Sequence, residues 1–321
     1  MEIQNNQPPK GLKLFSMIVR SYAFPASIVP IIYGSLLAVF LNENVKFNFF
    51  LFALTLLGAI CIHITTNVVN DIYDFRKGID KKDEELGIPH GGSMVLSLNF
   101  ATESQLKTIV IISTLIAVAI GAFLYVATNF NSVILGLIIF GFFSAIYYTA
   151  FPISLKYKAI GDLQVFLSFG TGMTLGAYIV QTQQFSWTPV ILSIPIGLLI
   201  AAILHSNNLR DIKFDSTFGV KTIAILIGEK LSKNYYYFLV FGAYASIIIF
   251  VVFKILPLPA LINFITLPIA IKLARMLKEL PQENIPRFEY GTKHIILTSK
   301  LNMQFGLTLS IGILISILFH I

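Results

Sequence analysis

The first group of residues that could do chemistry is a cluster of aspartates and asparagines in the stretch NVVNDIYDFRKGID. Asn67, Asp71 and Asp74 are spaced i, i+4 and i+7, so on a helix they share one face. Asn70 lies beside them, and Asp80 follows shortly after in the sequence. All of these side chains offer oxygen atoms, and the stretch follows about twenty apolar residues. Charges at such a position predict a functional site, because they are costly within a membrane.

A second cluster has the same character. Asn208, Asp211 and Asp215 are spaced i, i+3 and i+7 at the end of another apolar stretch. His63 extends the stripe of the first cluster by one helical turn. Two clusters of matching type predict that both contribute to one site.

The donor set indicates the ligand. Neither cluster contains cysteine, and histidine is sparse, so zinc or iron ligation is not favoured, whereas carboxylate sets suit Mg²⁺ or Mn²⁺. Because Mg²⁺ prefers substrate phosphates to a full cage of protein ligands, we expect metal ions that bridge the aspartates to a diphosphate. Nearby cations could neutralise the remaining charge: Arg76, Lys77, Lys156, Lys158, Arg210, Lys213 and Lys221. Of these, Arg210 and Lys221 flank the second pair of aspartates.

The elements that position these residues are predicted to be membrane helices. The chain has 321 residues, of which 56% are hydrophobic and only 12% charged, about half the share of a soluble domain. We predict an all-α bundle of nine transmembrane helices forming one membrane-embedded domain over residues 1–321. The predicted spans lie near 21–41, 48–69, 108–128, 132–151, 163–181, 189–207, 235–253, 256–277 and 302–320.

Basic residues predict the orientation in the bilayer. With the N-terminal segment 1–20 in the cytoplasm, 21 of the 23 lysines and arginines fall on the cytoplasmic side. Only Lys46 and Lys254 lie outside. The C-terminus is then outside, while loops 70–107 and 208–234, and with them the active site, face the cytoplasm. The net charge of +7 is therefore explained by the orientation of the chain in a cell membrane whose cytoplasmic leaflet is anionic. It does not indicate a nucleic-acid partner. The oligomeric state stays open.

Both clusters resemble the motifs of a known family. NDIYDFRKGID resembles the NDxxDxxxGxD motif of the UbiA superfamily of intramembrane prenyltransferases, and NNLRDIKFDSTFGVKT resembles the second motif of its menaquinone-pathway branch. The resemblance implies a nine-helix fold and Mg²⁺–diphosphate binding, with Mn²⁺ as a possible substitute. For that binding it implies Asn67, Asn70, Asp71, Asp74, Asp80, Asp211 and Asp215, and the helical spacing adds Asn208 as a candidate substrate ligand. It also implies diphosphate or acceptor contacts at Arg20, Tyr148, Lys156, Lys158, Arg210 and Lys221. Of these, Lys156 and Lys158 are predicted to hold the charge of the departing acceptor carboxylate.

The resemblance implies a reaction as well. The expected enzyme transfers a polyprenyl group from an allylic polyprenyl diphosphate to an aromatic acceptor. The NNLRD form favours 1,4-dihydroxy-2-naphthoate, with loss of CO₂ on the way to menaquinone. Tyr147, Tyr148 and Phe151 are candidates to stabilise a cation-like prenyl group with their rings.

Other functions stay open at this point. The acceptor could be 4-hydroxybenzoate, homogentisate or a non-aromatic lipid. A cation-coupled transporter would also need membrane carboxylates, although it would place them near the middle of broken helices. A non-catalytic membrane scaffold would not need polar ligands on two stripes.

Overall fold

The computed structural model describes residues 9–78 and 92–320. Within these ranges the chain is helical, and its only β-type pairing is an isolated bridge between Lys158 and Lys221. Asp80 lies outside the described residues. The α-helices are α1 (Leu12–Val19), α2 (Pro25–Phe40), α3 (Phe49–Arg76), α4 (Glu103–Ala127), α5 (Ser132–Tyr147), α6 (Gly161–Val165), α7 (Met173–Thr182), α8 (Trp187–Leu192), α9 (Ile194–Arg210), α10 (Ile212–Thr217), α11 (Ile223–Val252), α12 (Leu267–Lys278) and α13 (Asn284–Phe319).

Eight helical segments of the described chain are long and apolar enough to cross a membrane. One of them, Gly161–Thr182, joins α6 and α7 through the π-helical segment Phe166–Gly172, and another, Trp187–Arg210, joins α8 and α9. The apolar helix α5 is shorter, with 16 residues. The protein is therefore an all-α integral membrane protein, and the predicted count of nine spans holds approximately, with α5 as the ninth.

Two helices extend well beyond the apolar runs that predicted them. The last helix begins at Asn284 and has 36 residues, and α11 begins at Ile223 and has 30. The additional turns of α13 are largely polar, whereas those of α11 begin with the apolar run 223–227 and include a kink at Gly228, which has a non-helical backbone. Both additions lie on the side of the aspartate clusters. Hydropathy finds only the part of a helix inside the hydrocarbon, so these turns were not predicted.

Side-chain caps fix where the helices begin at the short connections. Thr102 and Gln105 form a capping box at the start of α4, each side chain bonding the other residue's backbone N–H. Asn48 and Asn131 accept hydrogen bonds from the first turns of α3 and α5. Such caps satisfy backbone donors that the helix itself leaves without partners.

Helix α9 lies at the centre of the bundle, against α11, α13 and the π-helical segment. A close approach between Gly170 and Gly197 allows this packing, since a Cβ atom at Gly170 would lie 2.5 Å from the Cα of Gly197. The largest fully buried side chains include Tyr236, whose hydroxyl shares a 2.8 Å hydrogen bond with Thr298 of α13. Helix α9, which ends just before Asp211, is thus packed against three neighbours.

Candidate active site

Asp71, of the first motif, is held by an arginine from the start of the chain. Arg20 lies in the left-handed turn after α1, and its guanidinium forms an ion pair with Asp71 and donates to Asn70 Oδ1 at 3.0 Å. The Ser93 backbone N–H contacts both oxygens of Asp71 at 3.3 Å. Asp71 is buried, so the Arg20 charge and these donors stabilise a carboxylate that would otherwise be costly.

Asp74 lies one turn further along α3 and is fully buried. Its Oδ2 accepts hydrogen bonds from Lys156 Nζ at 2.5 Å and from Asn70 at 2.9 Å, and its Oδ1 accepts one from the Tyr157 hydroxyl. Burial disfavours the Lys156 ammonium, but Asp74, together with Tyr157, Tyr148 and Asp215, outweighs this effect and raises the pKa of Lys156 above its ordinary value. Asn70 also donates to Thr149 at 2.9 Å, which connects α3 to the turn after α5.

The second motif has its own cation. Arg210, the last residue of α9, donates from Nε to Asp211 Oδ1 at 2.6 Å and from Nη2 to Oδ2 at 2.7 Å. This bidentate geometry fixes the carboxylate in one orientation. Arg210 Nη2 also donates to Asn207 Oδ1 at 2.8 Å, so the side chains at the end of α9 form one network.

Arg287 anchors the same end of α9 from α13. Its guanidinium donates to the backbone carbonyls of Leu209 at 2.8 Å and Arg210 at 3.1 Å, and to the Glu229 carboxylate at 3.0 Å. The last carbonyls of a helix have no partner within it and carry its partial negative charge. The buried Arg287 satisfies two of them and fixes the position of Asp211 in the site.

The two motifs face one another. Burial, and then the Asp211 carboxylate, raise the pKa of Asp215 to about 7; Asp74, from the other motif, adds to this shift, while Lys156 opposes it. Asp215 thus interacts electrostatically with aspartates of both clusters. The sequence prediction that the clusters approach each other agrees with this coupling.

The carboxylates provide a donor set of the kind that Mg²⁺ prefers. Among the described residues, no three His, Cys, Asp or Glu side chains converge on a point where they could together hold a metal ion. Mg²⁺ usually takes one or two carboxylates and completes its shell with water and substrate phosphates, so the arrangement fits a metal shared with a phosphate ligand. The basic partners Arg20, Lys156 and Arg210 are themselves groups that bind phosphate.

A cavity of about 320 Å³ opens beneath the aspartates. Its polar end is lined by Arg20, Asn67, Asn70 and Lys156, and its deeper walls are mostly apolar side chains of α3, α4, α5 and α7. One ligand could therefore have a charged head among the motifs and an apolar tail between the helices.

The remaining predicted residues differ in their relation to this cavity. Tyr148 and Asn67 are both buried and line the cavity. The Asn67 amide also donates to the Val19 carbonyl at 3.0 Å. Lys158 and Lys221 are exposed and are joined through their backbones. Phe151 is 80% exposed.

Asn208 is engaged away from the cavity. Its amide donates to Asp162 Oδ1 at 3.1 Å, and Asp162 Oδ2 lies 2.9 Å from His205 Nδ1. Asp162, in α6, is buried and was not among the predicted site residues. The trio connects α6 to α9 just before Asp211.

Sequence reasoning also missed Asn207, Tyr157 and Thr149. Asn207 lines the cavity and lies four residues before Asp211, so its helical spacing was the signal that could have found it. Tyr157 and Thr149 lie in the irregular connection after α5, where no periodicity indicates which side chains turn inward.

Together, the helical fold and the acidic site define an intramembrane enzyme architecture with a charged mouth above an apolar cavity. Residues 27–293 match the model of the UbiA prenyltransferase family, and the chain belongs to that family. The resemblance found in the two motifs is thus confirmed, and the protein is a UbiA-type prenyltransferase.

Similar proteins include animal and bacterial members. The chain is 32% identical over 314 residues to a Drosophila melanogaster UbiA prenyltransferase domain-containing protein 1 homolog, covering 92% of this chain and 78% of the relative. It is 30% identical over 305 residues to the 1,4-dihydroxy-2-naphthoate octaprenyltransferase of Bacillus subtilis, covering 93% and 91%.

Solved structures share the fold. A UbiA homolog from Aeropyrum pernix superposes with a TM-score of 0.64 at 16% identity, covering 93% of this chain and 98% of the other. A homolog from Archaeoglobus fulgidus bound to DMAPP and Mg²⁺ has a TM-score of 0.57 at 16% identity, covering 92% and 98%.

Proposed function

We propose that this protein transfers a polyprenyl group from an allylic polyprenyl diphosphate to an aromatic acceptor, 1,4-dihydroxy-2-naphthoate, with loss of CO₂, in menaquinone biosynthesis. The observation that carries the proposal is the placement of two aspartate motifs and their cations at the mouth of an apolar cavity. That combination suits a ligand with a charged diphosphate head and a hydrocarbon tail.

In this proposal the aspartates at the end of α3 and at the junction of α9 and α10 hold Mg²⁺, with Mn²⁺ as an alternative ion. Asp71 and Asp74 serve from the first motif together with Asp80, and Asp211 and Asp215 from the second. Bound there, the metal neutralises diphosphate charge and makes the diphosphate a better leaving group. The Archaeoglobus homolog, which was solved bound to both DMAPP and Mg²⁺, supports this assignment for the family.

The chain's own cations would bind the diphosphate. Arg20, Lys156 and Arg210 each form an ion pair with a motif aspartate in the structure. With those carboxylates engaged by a metal ion, Arg20 and Arg210 would be available for the diphosphate oxygens and Lys156 for the acceptor. Charge that develops on the leaving group is then stabilised by donors that are already in position.

The cavity would orient the prenyl chain and exclude water. Its apolar walls hold the first isoprene units below the diphosphate, where water could otherwise trap the reactive carbon. Tyr148 lines the cavity near Lys156, so its ring supports a role in stabilising the allylic cation. Phe151 is exposed and is not part of this proposal.

Two features support the naphthoate as acceptor. The NNLRD form of the second motif resembles the menaquinone branch, and the Bacillus relative is named for this acceptor. The carbon attacked in that acceptor bears a carboxylate, which must leave as CO₂ before aromaticity returns. The position of Lys156 in the cavity wall supports it as the cation that holds this carboxylate, whereas the Lys158 side chain is exposed.

The acceptor needs a direct test because the Drosophila relative, whose name specifies no acceptor, is as similar to this chain as the Bacillus enzyme is.

One experiment distinguishes the candidate acceptors. Purified protein is incubated with Mg²⁺, a panel of polyprenyl diphosphates, and either 1,4-dihydroxy-2-naphthoate, 4-hydroxybenzoate or homogentisate. We expect a product lighter by CO₂ than naphthoate plus the prenyl group, identified by mass spectrometry. A product that keeps its carboxylate, or turnover of 4-hydroxybenzoate alone, would contradict the assignment.

A further inference from the structure

We infer that His63 binds a ring hydroxyl of the aromatic acceptor through its Nε2 atom and so selects hydroxylated acceptors; this inference rests on the proposed function. His63 is a buried residue of α3 that lines the cavity. None of the roles assigned above uses it.

The imidazole ring is held in one orientation by its surroundings. Its Nδ1 lies 2.7 Å from the Ser27 hydroxyl of α2. Phe24 and Phe169 contact the ring edge-to-face, with centroid distances of 5.6 and 4.8 Å. A polar ring fixed from three sides is preorganised for one further partner, because little rotational freedom remains to be lost on binding.

The Nε2 atom is the position left for that partner. Among residues 9–78 and 92–320, Nδ1 has a hydrogen-bond partner and Nε2 has none. Nε2 is also not among the fully buried polar atoms that lack a partner, so it retains some accessible surface. The ring belongs to the cavity wall, so a ligand in the cavity can reach this atom. A polar atom in an otherwise apolar wall sets the orientation and specificity of what binds there.

His63 lies too deep in the cavity to contact the diphosphate, so its partner is the acceptor. His63 lies four residues before Asn67 and eight before Asp71, which corresponds to about 6 and 12 Å along a helix. It therefore lies one to two helical turns below the charged mouth, a distance that an aromatic acceptor beside the first carbon of the prenyl chain can span. The aromatic ring must approach that carbon, so its hydroxyl comes within reach of Nε2.

The chemistry of the contact follows from the tautomer. We assign the tautomer in which Nδ1–H donates to Ser27 Oγ, so that Nε2 offers a lone pair and accepts the hydrogen bond of the hydroxyl. That bond increases the electron density of the oxygen and hence of the ring carbon that attacks. An acceptor without the hydroxyl would leave Nε2 desolvated and unpaired, which is the usual origin of strong discrimination.

Two substitutions of His63 test the contacts of its two ring nitrogens independently. In His63→Asn the amide reaches the Nδ1 position and can retain the Ser27 contact, but nothing occupies the Nε2 position. In His63→Gln the longer amide reaches the Nε2 position. With the naphthoate as acceptor, we expect kcat/KM to fall by at least about tenfold in His63→Asn, the loss of about one hydrogen bond, and to recover at least partly in His63→Gln. Binding of a non-hydrolysable prenyl thiolodiphosphate should change less than about twofold in both.

A purely structural role of His63 would leave the acceptor preference unchanged, so acceptor analogues test for a binding role. The wild-type protein is compared with His63→Asn on the dihydroxy acceptor and on 2-naphthoates carrying only the 1- or only the 4-hydroxyl. We expect the preference against one of these analogues to disappear in His63→Asn. Ser27→Ala, which leaves the imidazole but removes its anchor, should raise the acceptor KM and serves if His63→Asn does not fold. Unchanged acceptor preference in folded His63→Asn would overturn the inference, whereas a wild-type protein inactive on every hydroxyaromatic acceptor would overturn the proposed function itself.

Discussion

Three carboxylates of the candidate site each have a basic partner within the same chain. Arg20 pairs with Asp71, Lys156 with Asp74 and Arg210 with Asp211. Buried carboxylates are expensive unless they are paired, so these cations make it possible to keep the motifs assembled before any substrate arrives. The same pairs place phosphate-binding groups next to the metal ligands.

Two lysines that are two residues apart provide a matched test at this scale. Lys156 lines the cavity and bonds Asp74, whereas the Lys158 side chain is exposed. A hydrogen bond to a charged group contributes about 1.5–3 kcal/mol. We therefore expect Lys156→Met to lower kcat/KM by at least about tenfold and Lys158→Met to leave it within about twofold. Steady-state assays over both substrates measure this, and an equal effect of the two substitutions would contradict the placement.

Much of the site could be predicted at the level of single residues, for a physical reason. The helical spacing of Asn67, Asp71 and Asp74 places them on one face of α3, whatever the rest of the chain does. The difference between Lys156 and Lys158 depends instead on a 3₁₀ turn with no sequence period. Likewise, Asn208 has the spacing of a ligand but bonds Asp162, which is distant in sequence.

At the scale of helices, the end of α9 is the element that positions the second motif. Its carbonyls are capped by Arg287 from α13, and Arg287 is in turn paired with Glu229 of α11. The cap could not be predicted from the sequence, since Arg287 lies 77 residues from Arg210 and in a stretch without a motif. The long polar start of α13 therefore supports the site from outside it.

Removal of this cap is predicted to affect both stability and metal binding. Arg287→Met leaves two buried carbonyls without a partner and Glu229 without its arginine, and each unsatisfied carbonyl costs about 1–3 kcal/mol. We expect a loss of at least about 2 kcal/mol in unfolding free energy and weaker Mg²⁺ affinity. Lys213→Met is the control, because this exposed lysine bonds only a loop carbonyl. Thermal and denaturant unfolding in detergent would show the difference, and equal stability of the two variants would refute the role of the cap.

The contact between the π-helical segment and α9 can be tested with glycine. Gly170→Ala would push a methyl group into the backbone of Gly197, which cannot move aside as a flexible side chain can. Overpacking of this kind typically costs about 1–3 kcal/mol. Gly136→Ala, in α5, is the matched control because a Cβ atom there meets nothing within 4 Å. We expect a lower melting temperature only in Gly170→Ala, and equal melting temperatures would contradict the close packing.

For the whole molecule, hydropathy predicted the order of the spans and approximately their number, because a membrane helix must be apolar over a fixed length. It did not predict the π-helical interruption, nor the central position of α9, since both depend on how neighbouring helices pack. The lysines and arginines alone predict the direction in which the bundle crosses the bilayer. We propose that both aspartate motifs face the cytoplasm and that the C-terminus is outside.

Cysteine labelling tests this orientation. In a Cys61→Ser background, Ser216→Cys places a probe in α10 beside the second motif, and Asn44→Cys places one in the loop between α2 and α3. Both positions are exposed. In intact cells an impermeant maleimide should label Asn44→Cys and leave Ser216→Cys unlabelled until the membrane is opened. The reverse pattern would invert the proposed topology.

The central claim is that two aspartate motifs, one on each of two helices, form a single metal–diphosphate site. The most direct measurement is calorimetric binding of a prenyl thiolodiphosphate, with and without Mg²⁺, to the wild-type protein, Asp71→Asn and Asp211→Asn. We predict binding that requires Mg²⁺ and that weakens by at least about tenfold in each variant, because loss of even an outer partner of a metal site typically costs 10–100-fold. Tight binding in the presence of EDTA, or full affinity in either folded variant, would contradict the claim.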